Sequence, residues 1–84
     1  MGEIYFSRHA KNRMRRFKIE KEEVIQVVKA PELLEQSIKG RQNAWRRRNK
    51  EYIRVTYKEE HGRIVIITVT LKEKRGREKG EDRI

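Results

Sequence analysis

Residues 64–71 read Ile-Val-Ile-Ile-Thr-Val-Thr-Leu, a run made almost entirely of β-branched side chains. Side chains of this type favour strands. Because apolar residues occupy both of its sides, the run predicts a strand in the centre of a sheet. In a regular strand the odd-numbered residues face one side and the even-numbered residues the other, so Thr68 and Thr70 would share a face with polar neighbours.

The segment Tyr52–Lys58 predicts the strand that precedes it. Apolar residues recur at every second position on one side, and the other side is polar and includes Arg54. The loop between the two strands contains Gly62, which suits a tight turn. The two segments therefore predict an antiparallel hairpin with one apolar and one polar face.

Two helices are predicted nearer the N-terminus. Ser7 is a good capping residue for a helix from Arg8 to about Arg16, in which apolar residues recur with helical spacing. A second helix is predicted over Lys21–Lys29, and Pro31 prevents it from continuing.

Two further strands complete the predicted fold. They span Leu33–Ile38 and Asn43–Arg48, with a turn at Gly40, and Ile4–Phe6 is a candidate for a short extra strand. We expect an α+β fold with two N-terminal helices packed on one face of an antiparallel sheet of about four strands. One domain would cover residues 1–72, and the charged residues 73–84 would form a flexible tail.

Composition points to a polyanionic partner. Of 84 residues, 35% are hydrophobic and 43% are charged, which allows one thin core. The net charge of +10 is concentrated in residues 1–18 (+5) and residues 39–54 (+6), which flank a segment of −3. Two basic segments that meet in space would fit a phosphate backbone, and nucleic acid is the predicted partner. A solvated basic surface is the alternative.

Several classes of protein are disfavoured by the same composition. Cysteine is absent, which excludes disulfides and thiolate sites, and two histidines make a zinc site improbable. We therefore predict no metal and no cofactor. No apolar run approaches the ~20 residues of a membrane span, so we expect a cytoplasmic protein that does not bind membranes.

The first helix carries a stripe of candidate functional residues. Helical spacing places His9, Arg13 and Arg16 beside the apolar stripe, at the edge of the core. The imidazole of His9 can transfer a proton near neutral pH, and the guanidinium groups suit phosphate oxygens. A solvated helix face and an exposed or structural histidine are the plain alternatives.

Trp45, Arg46 and Arg48 form a second candidate group, because aromatic rings stack on bases while guanidinium groups hold the backbone. In a strand, Arg46 and Arg48 share one face, and we expect Arg54 on the next strand to converge with them on a phosphate. The alternation also allows Trp45 to be buried against the helices, and it slightly favours burial over an exposed stacking platform.

The motif F-S-x-H-A-x-x-R-M at residues 6–14, followed by I-x-x-E-E-V-x-x-V-x-x-x-P at residues 19–31, resembles a family of small prokaryotic domains. That family is distantly similar to RelE-like toxins and other metal-independent ribonucleases of the barnase–EndoU–colicin–RelE group. The resemblance covers about residues 6–71 and implies a RelE-like fold. It also implies RNA cleavage, with a catalytic site made of His9, Arg13, Arg54 and Thr68.

The expected function is therefore a metal-independent endoribonuclease of toxin type that binds RNA. Nucleic-acid binding would involve Arg16, Trp45, Arg46 and Arg48. A non-catalytic nucleic-acid-binding module is the first alternative, and a domain that binds an acidic, antitoxin-like protein is the second. The sequence leaves the oligomeric state open.

Overall fold

The computed structural model describes residues 3–73. Along the chain, these residues form five strands, two helices and one short 3₁₀ turn: β1 (Ile4–Phe6), α1 (Arg8–Phe17), α2 (Lys21–Lys29), β2 (Leu33–Gln36), the turn Ile38–Gly40, β3 (Gln42–Arg48), β4 (Glu51–Glu60) and β5 (Arg63–Lys72).

The strands form one mixed sheet in the order β1-β5-β4-β3-β2. The pairs β5–β4, β4–β3 and β3–β2 are antiparallel, whereas β1 pairs parallel to β5. The prediction of N-terminal helices on an antiparallel sheet of about four strands is therefore wrong: the sheet has a fifth strand, it is mixed, and β1 precedes the helices. Three residues are too few to show a strand period, and parallel pairing requires a crossover that local pattern does not reveal.

Local chemistry sets the helix ends. The Ser7 side chain accepts a hydrogen bond from the Ala10 amide at 3.0 Å and so caps α1. The helix ends where Lys18 adopts a left-handed conformation with φ of 57°, and its amide donates to the Arg15 carbonyl. Within α2, the Glu23 carboxylate accepts from the Glu20 amide at 3.1 Å, which gives one free amide of the helix N-terminus a partner.

One apolar cluster joins both helices to one face of the sheet. Helix α1 lies against β5, and α2 lies against β3 and β4. We call the sheet face in this cluster the apolar face. The buried members of the cluster are Phe6, Ala10, Met14, Ile19, Val24, Val27, Val28, Ala44, Ile53, Val55, Tyr57, Ile64, Ile66 and Val69.

Strand β5 contains a β-bulge. Thr56 of β4 pairs with Thr68, but the next residue, Tyr57, pairs with Ile66, so Ile67 is an extra residue. The predicted unbroken alternation along β5 is therefore wrong, because side chains change parity at Ile67. Beyond the bulge, Thr68 still lies on the face opposite the apolar cluster.

Two features complete the description of the chain. Except for Glu73, the predicted flexible tail of residues 73–84 lies outside the described residues. Between residues 3 and 73, neither helix is long and apolar enough to cross a bilayer.

Candidate functional site

The face of the sheet opposite the apolar cluster carries two rows of side chains across β2, β3, β4 and β5. Paired residues in adjacent strands share a face, so the register defines both rows. We call this surface the polar face. Its first row is Leu33, Trp45, Arg54 and Thr70, and its second row is Glu35, Asn43, Thr56 and Thr68.

Hydrogen bonds within the polar face hold several of these side chains in place. The Trp45 indole nitrogen donates to the Glu35 carboxylate at 2.9 Å, and the Thr56 hydroxyl donates to the Asn43 side-chain oxygen at 2.7 Å. The Trp45 side chain is almost fully buried, with 1% of its surface exposed. The rows therefore form a fixed polar surface and not a loose set of solvated groups.

Arg54 lies at the centre of the polar face. Its guanidinium carbon is 5.7 Å from the centroid of the Trp45 ring, a cation–π distance. Burial lowers the pKa of Arg54 from its ordinary value, the negative charge of Glu35 raises it, and the positive charge of Arg13 lowers it. The last effect means that Arg13 of α1 lies close enough to Arg54 for the two cations to repel each other.

Arg13 reaches this region from the flank of α1. Its guanidinium carbon is 5.8 Å from the centroid of the Phe17 ring, which lies one turn further along the helix. The Phe17 side chain packs against the apolar cluster. The ring therefore supports Arg13 at the edge of the core, where helical spacing predicted it.

Three polar side-chain atoms in residues 3–73 are buried without a hydrogen-bond partner: Nε of Arg13, Nε of Arg54 and the hydroxyl oxygen of Thr68. Thr68 and Arg54 are diagonal neighbours on β5 and β4, about 7–8 Å apart at their Cα atoms. An unsatisfied buried polar group costs about 1–3 kcal/mol. All three groups can donate a hydrogen bond, so an acceptor oxygen would satisfy each of them.

His9 lies one helical turn before Arg13 and is exposed. The start of α1 is bound to the bulge of β5, because the Ser7 amide donates to the Ile66 carbonyl at 3.1 Å and the Ser7 hydroxyl donates to the Ile67 carbonyl at 3.0 Å. His9, the second residue of the helix, therefore lies near the point where β5 continues into Thr68. Within the described residues no hydrogen bond orients its ring.

The structure separates Arg46 and Arg48 from Arg54. Arg46 pairs with Ile53 and not with Arg54. Arg46 and Arg48 therefore both lie on the apolar face, beside α2. There Arg46 donates to the Ala30 carbonyl at 2.7 Å, and Arg48 bonds the Glu23 carboxylate and the Lys18 carbonyl, each at 3.1 Å. The expected convergence of the three arginines on one phosphate is wrong, because two of them cap helix ends.

The remaining predicted nucleic-acid-binding residues differ in accessibility. Trp45 is buried, so the exposed stacking platform is wrong. Its side chain lies on the polar face, outside the cluster that contains the helices, so the expected burial against the helices is also wrong. Arg16 is exposed at the outer end of the α1 stripe, with its guanidinium carbon 5.9 Å from the Phe17 ring centroid.

Sequence reasoning missed Glu35 and Asn43 as partners on the polar face. Each lies in a strand whose own pattern is weak, and only the pairing of β2 with β3 brings them beside Trp45 and Thr56. Residues 3–73 contain no group of three or more histidine, aspartate or glutamate side chains placed to hold a metal ion.

Comparison with known proteins identifies a family. A family described as "Domain of unknown function (DUF4258)" matches residues 6–70, which include both helices, most of the sheet and every residue of the candidate site. Comparisons with curated proteins and with solved structures give no significant match. Because the family matches well over half of the chain, the protein belongs to the DUF4258 family.

Proposed function

We propose that this protein is a metal-independent endoribonuclease that holds the scissile phosphate of RNA between Arg13, Arg54 and Thr68. The observation that carries the proposal is the group of three buried donors without partners, two of them on mutually repelling arginines. A phosphate would accept their hydrogen bonds and reduce that repulsion. The second support is the resemblance of the F-S-x-H-A-x-x-R-M segment to a family of small prokaryotic domains that is distantly similar to RelE-like toxins.

In the proposed reaction, the RNA 2′-hydroxyl attacks the adjacent phosphorus and the bond to the 5′ oxygen breaks. His9 takes the proton of the 2′-hydroxyl and returns it to the leaving 5′ oxygen. The products are a 2′,3′-cyclic phosphate and a free 5′-hydroxyl. Arg13, Arg54 and Thr68 would stabilise the charge that develops on the non-bridging oxygens.

A second candidate function is binding of RNA without cleavage. The exposure of His9, and the lack of a hydrogen bond that orients its ring within the described chain, favour this candidate. General acid–base groups work best when held in one orientation. The anion site would be the same in both cases, so only a cleavage assay separates the two functions.

The test measures cleavage of labelled single-stranded RNA in the presence of a chelator. His9→Ala and Arg54→Met should each reduce the rate by about 100-fold or more. Methionine keeps aliphatic packing against Trp45 while removing the charge. The matched controls are His61→Ala, at an exposed turn, and Arg46→Met, on the neighbouring strand, and neither should change the rate.

Circular dichroism and urea unfolding would verify that each variant is folded, and preparing all variants identically controls for contaminating nucleases. Equal cleavage by wild type, His9→Ala and Arg54→Met would refute the assignment. Binding of RNA by the wild type without cleavage, weakened in Arg54→Met, would establish the second candidate.

A further inference from the structure

A cavity of about 400 Å³ lies between β1 and the flank of α1 that faces away from Arg13. The candidate site described above does not include it. Its lining residues are Tyr5, Phe6, Arg8, Lys11, Asn12 and Arg15. Three of these six side chains are cationic and none is acidic, so we call this cavity the basic pocket.

The cations of the basic pocket form no ion pair with another residue in the described range 3–73. The ion pairs of residues 3–73 are Arg48 with Glu23 and Lys58 with Glu60, neither of which involves the pocket. The Arg15 guanidinium donates to the Asn12 side-chain oxygen at 3.2 Å, a neutral partner that orients the guanidinium without cancelling its charge. An anion is the ligand that this arrangement of charge favours.

The wall formed by β1 adds an aromatic surface. The Tyr5 side chain is 52% exposed, and the guanidinium carbon of Arg63 lies 5.5 Å from its ring centroid. A half-exposed aromatic ring supported by an arginine, next to several cations, is the combination that stacks a base and holds its phosphate. A simple inorganic anion would use the cations but would leave the ring without a partner.

The basic pocket and the candidate site lie on two flanks of the same helix. Arg8, Lys11 and Arg15 recur at i, i+3 and i+7 on one stripe of α1, whereas His9 and Arg13 lie on another. An α-helix with its side chains is about 10–12 Å across, a distance that a single RNA strand can span. Arg16 lies on the exposed surface between the flanks, next to Asn12 at the edge of the basic pocket.

We propose that the basic pocket binds a second nucleotide of the same RNA strand, its base stacked on Tyr5 and its phosphate bound by Arg8, Lys11 and Arg15, so that the strand crosses α1. The proposal rests on the proposed function, because it takes RNA as the ligand at Arg13 and Arg54. It makes the pocket a determinant of affinity for longer RNA and leaves the chemistry at His9 unchanged.

The test compares a labelled RNA of about eight nucleotides with a dinucleotide, by fluorescence anisotropy and by cleavage. The double variant Arg8→Gln/Arg15→Gln should bind the longer RNA about tenfold or more weakly, the loss expected for charge-assisted hydrogen bonds to phosphate. Losing the neutralisation of this one phosphate should also reduce the slope of log K against log salt by about 0.7. Binding and cleavage of the dinucleotide should not change.

A charge-matched control is Lys29→Gln/Lys39→Gln, which removes two exposed cations away from α1 and should bind both RNAs as the wild type does. Tyr5→Ser should also weaken binding of the longer RNA and leave binding of the dinucleotide unchanged. Unchanged affinity of Arg8→Gln/Arg15→Gln for the longer RNA would overturn the role of the basic pocket but not the proposed function. Failure of the wild type to bind any RNA would overturn both. Displacement of the RNA by polyglutamate of matched length, at equal concentration, would assign the pocket to an acidic protein instead.

Discussion

At the scale of single residues, Arg54 shows why burial and charge together indicate a binding site. A charged side chain in the middle of a strand is usually paired or fully exposed. Arg54 is half-buried, and burial lowers its pKa, an effect that Glu35 opposes and Arg13 adds to. One of its nitrogens has no hydrogen-bond partner among residues 3–73. A purely structural arginine, such as Arg46 against the Ala30 carbonyl, shows the opposite pattern of satisfied donors.

Tyr57 provides a residue-scale prediction for alkaline pH. Burial raises the pKa of Tyr57 above its ordinary value, and the nearby charge of Glu59 raises it further. Above about pH 10 the unfolded chain therefore loses this proton while the folded protein keeps it, so stability should fall as the pH rises. Urea unfolding at about pH 8 and about pH 11 should show this loss, and it should be smaller in Tyr57→Phe.

The control for this prediction is Tyr5→Phe, which removes a phenol from a half-exposed ring and should keep the wild-type loss of stability. An equal loss in wild type and Tyr57→Phe would show that burial of the Tyr57 hydroxyl does not contribute to the alkaline instability.

At the scale of elements, the junction of α1 with β5 determines where the candidate catalytic residues lie. Ser7 caps α1 through its oxygen and binds the bulge of β5 through its amide and hydroxyl. One side chain therefore fixes both the helix start and its position on the sheet. His9 and Arg13 follow within two turns, so any movement of this junction moves both.

Ser7→Ala tests this junction. It should lower the free energy of unfolding by about 1–2 kcal/mol, the usual cost of losing a helix cap. If the protein cleaves RNA, the same variant should also lose activity, because α1 is no longer held at the bulge. Ser37→Ala is the matched control, since Ser37 precedes the 3₁₀ turn without a side-chain capping bond. A Ser7→Ala protein as stable as Ser37→Ala would contradict the role assigned to this junction.

The elements that local chemistry defines were predictable from sequence. Helix α1 begins directly after its capping Ser7, and α2 ends shortly before Pro31. Strand β1 could not be placed in the sheet, because it pairs with β5 near the other end of the chain. The bulge at Ile67 could not be placed either, because it depends on the register between β4 and β5, which neither strand's pattern sets.

The same limit explains the outcome for the candidate site. Helical spacing placed Arg13 at the core edge, and alternation placed Arg54 on a polar face, since each pattern lies within one element. The relation between strands is not encoded in either strand alone. Arg46 was therefore expected beside Arg54, whereas the register pairs Arg46 with Ile53 and Arg54 with Trp45.

At the scale of the whole molecule, the excess of positive charge opposes folding. The chain carries a net charge of +10, and the ion pairs of residues 3–73, Arg48 with Glu23 and Lys58 with Glu60, are partly exposed and therefore weak. Self-repulsion of this kind destabilises the compact state and is screened by salt. A bound polyanion would relieve it more effectively than salt.

Thermal unfolding at several salt concentrations tests this view. Raising sodium chloride from about 10 mM to about 200 mM should increase the unfolding midpoint, because the Debye length shortens from about 30 Å to under 10 Å. Sodium sulfate at equal ionic strength should raise it further, and the extra increase should be smaller in Arg54→Met if that anion binds at Arg54. A midpoint that is flat or falling with sodium chloride would contradict the prediction.

The bulge at Ile67 has a consequence for how the family can evolve. Removing this one residue would restore a regular strand in which Ile64, Ile66 and Val69 still face the core and Thr68 still faces away. The hydrophobic pattern would survive the deletion, but the carbonyl that receives the Ser7 hydroxyl would be lost. A homologue that is one residue shorter here would therefore keep the fold, but its first helix would sit differently on the sheet. The length of β5 is thus a marker for sorting family members by the geometry of their site.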